Sequence, residues 1–190
     1  LKHKLPEALA QNLYSWSLHQ YNLETIIAVV RAAEAKRSPV QILLFPWAIS
    51  YAGGLLVNLA ADACRLASVP ISLHLDHAQD EAMIERAANM GAFDSIMIDM
   101  SHFEREVNLE KTRRWVAFCH ERGIATEAEP GRMEGGEDGV ADTEGMEGML
   151  TTPEVALTFV KTGIDFLAPA FGNVHGSYGG VQNIKLDFPR

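Results

Sequence analysis

Four short segments of this chain concentrate side chains that bind metals or carry protons: His74-Leu75-Asp76-His77, Asp99-Met100-Ser101-His102, Glu127-Ala128-Glu129 and Asn173-Val174-His175-Gly176. Each lies at the end of an apolar or β-branched run. Imidazoles delivered from separate strands, with carboxylates beside them, suit a borderline cation such as zinc, which in catalytic sites takes three protein ligands and leaves a position open. His77 and His175 are the favoured ligands. His74 stands three residues before His77, so on an ideal strand the two rings face opposite ways. That leaves His74 to support a ligand or fill the core, and His102 has a weaker claim still. Asp99, Glu127 and Glu129 are candidates to orient the imidazoles or to bind the ion directly, and spacing alone does not rank them. A single strand-end histidine or acid is usually just solvated or hydrogen-bonded. Four such ends in phase point to one rim.

A shared rim requires elements that bring it together. Six short apolar runs, at 13–18, 40–45, 71–75, 95–99, 124–129 and 166–171, alternate with longer amphipathic ones, the pattern of βα units and a parallel sheet. Several are continuously apolar, as strands buried on both faces must be. Asn22 is placed to cap a helix running to Lys36. The pattern from Asp80 to Met90 ends at Gly91, and that from Glu106 to Arg122 ends at Gly123. Thr152-Pro153-Glu154 supplies a cap, a first-turn proline and an early carboxylate, so a helix should start there and stop near Gly163. Two glycine-rich stretches, 130–150 and 171–185, break the rhythm and read as long loops. No G-x-G-x-x-G follows the first strand, which argues against a doubly wound dinucleotide-binding sheet. The expected fold is therefore α/β, a TIM (β/α)8 barrel with about six βα units in this chain, since a complete barrel takes about 250 residues.

Composition narrows the function classes. The chain has 190 residues, 47% hydrophobic and 22% charged, which suits one domain over 1–190 with a substantial core. Sixteen basic against twenty-five acidic side chains give a formal charge of −9, so neither nucleic acid nor an anionic membrane is expected as a partner. No run approaches the roughly 18 apolar residues of a membrane span, and the start lacks a signal-peptide pattern. A cytoplasmic location is the expectation. Cys64 and Cys119 fall within helix-like patterns, far apart, and are read as buried thiols.

The same residues, with Asn22-Leu23-Glu24-Thr25, Tyr51-Ala52-Gly53-Gly54, Met97-Ile98-Asp99 and Gly135-Gly136-Glu137-Asp138-Gly139, resemble the class II, metal-dependent fructose-bisphosphate and tagatose-bisphosphate aldolases. The matches run in order through nearly the whole chain. The resemblance implies a lyase that cleaves a ketose (bis)phosphate, such as fructose 1,6-bisphosphate, to dihydroxyacetone phosphate and an aldehyde. It implies His77 and His175 as zinc ligands, and Asp99 and Glu129 as acidic positions around the metal, with a second divalent or monovalent cation as an option. Asp76 matches the acid/base that exchanges a proton with the aldehyde-derived oxygen. Glu137 matches the loop carboxylate that handles the carbon-bound proton, brought in by closure of a glycine-rich lid. Gly176 matches a substrate-contacting backbone position, and Asn22 is taken as substrate-binding. The metal polarises the ketose carbonyl, so no Schiff-base lysine is needed. A homo-oligomer is also implied.

Departures from the family pattern are equally specific. An H-G-G-S-G-like segment with a third histidine ligand and an N-V-D-T-like phosphate segment do not occur before Arg190, so about two βα units are expected to be missing from the sequence in hand. His19 stands where an asparagine is common, Phe45 where a serine is frequent, and Gly179 where H-G-x-Y is often followed by lysine. These leave the ketose open. A metal-dependent sugar isomerase or epimerase, and a noncatalytic aldolase-like subunit, are the competing readings.

Overall fold

The computed structural model describes residues 16–135 and 148–189, in which each strand is separated from the next by one or two helices. Six strands, β1 (Trp16–His19), β2 (Val40–Leu44), β3 (Ile71–Ala78), β4 (Ser95–Ile98), β5 (Ala125–Ala128) and β6 (Phe166–Leu167), neighbour one another in chain order in one sheet. A doubly wound sheet reverses its strand order at a switch point, whereas a βα barrel does not. The barrel-type order is the one expected from sequence. Contacts divide the chain into two compact units, Leu1–Met97 with Glu121–Ile124, and Ile98–His120 with Ala125–Arg190.

In the first unit, β1, β2 and β3 pair in parallel, with His19 opposite Leu43 and Leu43 opposite His74. Ile42, Leu44, Leu73 and Leu75 are fully buried, as expected of strands covered on both faces. β1 differs: Trp16 is 76% exposed. Helix α1 (Leu23–Lys36) starts at Asn22, whose side chain accepts the Thr25 N–H at 2.9 Å, and ends at Arg37 in the left-handed region. Between β2 and β3 the chain forms two helices, α2 (Trp47–Ala52) and α3 (Leu55–Leu66). Gly53, at φ +62, makes the break, a conformation that only glycine adopts cheaply. Helix α4 (Glu81–Met90) is capped by Asp80 and closed by a left-handed Gly91, as its sequence predicted.

The second unit holds α5 (Arg105–His120), β5, α6 (Pro153–Val160) and β6. β5 and β6 pair in parallel, Glu127 opposite Phe166 and Ala128 opposite Leu167. Ala128, Val155 and Phe159 form a core with Leu109, Ile164 and Leu167 against it. Thr152 caps α6, its side chain accepting the Val155 N–H at 3.3 Å, with Pro153 in the first turn. β6 is shorter than the apolar run 166–171 suggested. Pro169 has no N–H to continue the ladder, and the Ala170 N–H turns instead to Thr151 Oγ1 at 2.9 Å.

The glycine-rich stretch after β5 is pinned where it is described. Arg132 and Met149 exchange both backbone hydrogen bonds, each 2.8 Å, and Glu134 bridges to Val174. Cys64 and Cys119 are buried and neither is in a disulfide. Among the described residues no helix is long and apolar enough to cross a membrane.

Candidate functional site

In the first unit the chemistry gathers at the end of β3. Asp76 Oδ2 lies 2.8 Å from His19 Nε2, its Oδ1 accepts the His77 backbone N–H at 3.2 Å, and His74 Nε2 stands 3.8 Å from Oδ1. His74 is buried, with Nδ1 2.7 Å from the Ser95 hydroxyl. A neighbouring carboxylate favours the His74 tautomer with its hydrogen on Nε2, so the Ser95 hydroxyl donates to Nδ1. His74 thus lies buried beside Asp76, which is not among the proposed metal ligands.

His77 is buried and has φ +48, a left-handed backbone that is uncommon outside glycine and marks functional positions. The strict alternation that places residues 74 and 77 on opposite faces presumes regular strand geometry, and His77 departs from it. Asn22 lies one short turn after β1, where its Oδ1 is engaged as the cap of α1.

Burial pushes the Asp76 carboxyl up, but the hydrogen bond from His19 and the nearby imidazoles of His74 and His77 outweigh it. The net effect holds its pKa well below the usual carboxylate range. A group whose folded-state pKa is depressed contributes stability above its unfolded value, near 4, and loses it as pH falls toward the folded value. Asp76→Asn should therefore cost about 1–3 kcal/mol at pH 7. The gap from the parent should narrow below about pH 4. Urea unfolding of both proteins at several pH values checks this; a gap that widens on acidification would contradict it.

In the second unit, Asp99 and Glu129 are both buried to within 1% exposure. Each presents a carboxylate oxygen within 4.8 Å of the other's. Their outer partners fix them: Asp99 Oδ1 accepts the Ser101 N–H at 3.1 Å and Glu129 Oε1 the Met133 N–H at 2.6 Å. The Glu129 carbonyl accepts from Asn108 Nδ2 at 2.9 Å, a support from α5 that nothing in the strand-end pattern signalled. Two buried carboxylates this close repel unless a proton or a cation neutralises them, so the donor set fits a divalent ion. Glu127, the third acid considered, is half-buried on β5.

His175 follows the bridge between Glu134 and Val174, its backbone N–H donating to the Glu134 carbonyl at 2.9 Å. Gly135, at φ +92, faces the His175 carbonyl so closely that a Cβ would overlap it. Gly135→Ala should therefore destabilise the fold by about 1–3 kcal/mol. Thermal unfolding reads the loss, and an unchanged midpoint would refute the close approach. Gly176 has φ +89 and open space where a Cβ would stand, as suits backbone that meets a ligand. Asn173 Oδ1 accepts the Phe171 N–H at 2.8 Å and braces this loop. His102 packs its ring against Phe103 at 4.1 Å. Buried Arg132 donates from Nε to the Ser101 carbonyl at 2.9 Å, tying the segment after β4 to that after β5. Sequence inspection did not single it out. Glu137 lies outside the described residues.

Comparison with known proteins places the chain in a family. The model of the family "Fructose-bisphosphate aldolase class-II" matches residues 1–190. A Coccidioides immitis protein named "Putative fructose-bisphosphate aldolase" is 64% identical over 177 residues, 90% of this chain and 58% of that one. A fructose-bisphosphate aldolase of Thermus caldophilus is 37% identical over 187 residues, 98% of this chain and 61% of its own. A Coccidioides immitis crystal structure, titled as a putative fructose-1,6-biphosphate aldolase, superposes with a TM-score of 0.92 at 62% identity. That match covers 98% of this chain and 65% of the other. The chain thus spans 58% and 61% of the length of these two curated relatives.

Proposed function

The chain belongs to the class II fructose-bisphosphate aldolase family, and from that premise we propose that its protein is a metal-dependent aldehyde-lyase. Its reaction is the reversible aldol cleavage of a ketose phosphate, with fructose 1,6-bisphosphate as the reference substrate and dihydroxyacetone phosphate and an aldehyde as products. The proposed location is the cytoplasm and the proposed assembly a homo-oligomer.

The observation that carries the metal is the buried Asp99 and Glu129 pair. His77, Asp99 and Glu129 are each buried and each offers one ligand atom; in this reading they hold the ion, zinc, together with His175. A divalent ion, when bound, supplies Lewis-acid polarisation of the substrate carbonyl.

The remaining steps belong to the protein. Asp76, held in its ionised form, takes the proton from the hydroxyl whose oxygen becomes the aldehyde oxygen, and returns it in the condensation direction. The Gly176 backbone and Asn22 orient the substrate, and Glu137 handles the proton on carbon. Metal analysis of the full chain beside a retro-aldol assay tests the proposal: stoichiometric zinc with cleavage products supports it. Interconversion of ketoses without cleavage would replace it with an isomerase, and a full chain that neither binds zinc nor turns over would leave a noncatalytic subunit.

A further inference from the structure

We propose that His19 is a positioning residue for Asp76, held in place by Phe45. The inference rests on the acid-base role given to Asp76 above. Backbone register brings the parts together: His19 pairs with Leu43 and Leu43 with His74, so His19 and His74 stand at one level on one face of three parallel strands. Asp76 divides its oxygens between partners, Oδ2 to His19 Nε2 at 2.8 Å and Oδ1 to the His77 N–H at 3.2 Å. An ionised carboxylate only accepts, so the imidazole supplies the hydrogen and His19 carries it on Nε2.

The His19 ring itself is clamped. It lies flat on Phe45, with centroids 4.3 Å apart and planes 13° from parallel. Phe45 is 2% exposed and therefore immobile against the core. Its ring opposes the rotamers that would swing Nε2 away from Asp76. Proton transfer is sensitive to misplacement on the order of 1 Å, so a carboxylate with one oxygen tied to a clamped ring presents its remaining lone pairs in a set direction. A pair of side chains from β1 and the end of β2 thereby acts on the rate through Asp76 without providing the transferred proton.

The test uses the full chain loaded with zinc and reads kcat and KM separately. His19→Ala should lower kcat about 10- to 100-fold, with KM and zinc stoichiometry unchanged. His19→Gln, whose side-chain nitrogen reaches about as far as the imidazole Nε2 and donates, should recover most of the loss. Phe45→Leu should fall between parent and His19→Ala.

A second readout needs no turnover: 15N spectra of the imidazoles should show His19 protonated at Nε2, with a resonance that moves on Asp76→Ala. His19 protonated only at Nδ1 would overturn the proposal. So would a His19→Ala kcat within about twofold of the parent, a difference smaller than one hydrogen bond's usual effect, or a Gln variant no better than Ala. If Asp76→Ala itself keeps the parent rate, the acid-base reading fails instead, and the tautomer and resonance shift still decide whether the contact exists.

Discussion

Asp76→Ala keeps its zinc and loses about 10²- to 10⁴-fold in kcat for retro-aldol cleavage, the usual worth of a positioned general base. The expectation follows from how the residue is held. A carboxyl intended as a base in the cleavage direction must be ionised before substrate arrives, and the hydrogen bond from His19 with the imidazole of His74 nearby favours that despite burial. Asp76→Asn separates shape from charge. The amide can still accept from His19 at Oδ1 but cannot take a proton, so its kcat should fall nearly as far as that of the alanine variant. Steady-state kinetics beside metal analysis decides. Activity preserved in Asp76→Asn would show that the carboxylate is structural.

The second large effect concerns the acid pair of the other unit. Glu129→Gln should weaken zinc binding by more than the roughly 10- to 100-fold that loss of a supporting contact costs, because in the proposed site a ligand itself is removed. Its effect on metal-free protein should have the opposite sign. The variant amide still accepts the Met133 N–H, now held by Glu129 Oε1 at 2.6 Å, while the repulsion with Asp99 disappears. The metal-free variant should therefore melt above the metal-free parent, and added zinc should raise the parent's Tm but leave the variant's nearly unchanged. A chelator-treated parent that melts no lower than the variant would mean that the two carboxylates are already neutralised by a proton or a fixed cation.

The elements that position these groups were largely legible in the sequence, because their signals are local. Asn22, Asp80 and Thr152 cap the helices that their types and places predicted, and Gly91 ends one in the left-handed region. The apolar runs at β2 to β5 mark strands to within a residue or two at most ends, apart from the three-residue extension of β3. β6 is cut short where a proline intervenes. What the lettering could not carry is tertiary. The left-handed backbone of His77 breaks the alternation from which its orientation relative to His74 was judged, and no residue type announces a positive φ in a histidine. The placing of His19 and His74 beside Asp76 depends on strand register, which sets residues 19 and 74 level although 55 positions separate them. The substitutions at 19 and 45 were visible as departures from a family pattern; that they stack on each other was not. Arg132 and Asn108 brace the acid-bearing segments through backbone carbonyls, and such contacts leave no spacing rule behind.

The central claim is that one divalent ion is held by His77 and His175 with the Asp99 and Glu129 carboxylates. The direct measurement is diffraction from zinc-loaded crystals of the full chain, collected at the zinc absorption edge. The account predicts an anomalous peak within about 2.0–2.2 Å of an imidazole nitrogen of His77 and of a carboxylate or second imidazole donor from this set, and loss of that peak in His77→Ala. A peak bound elsewhere, or full retro-aldol activity in protein from which every metal has been stripped, would contradict it.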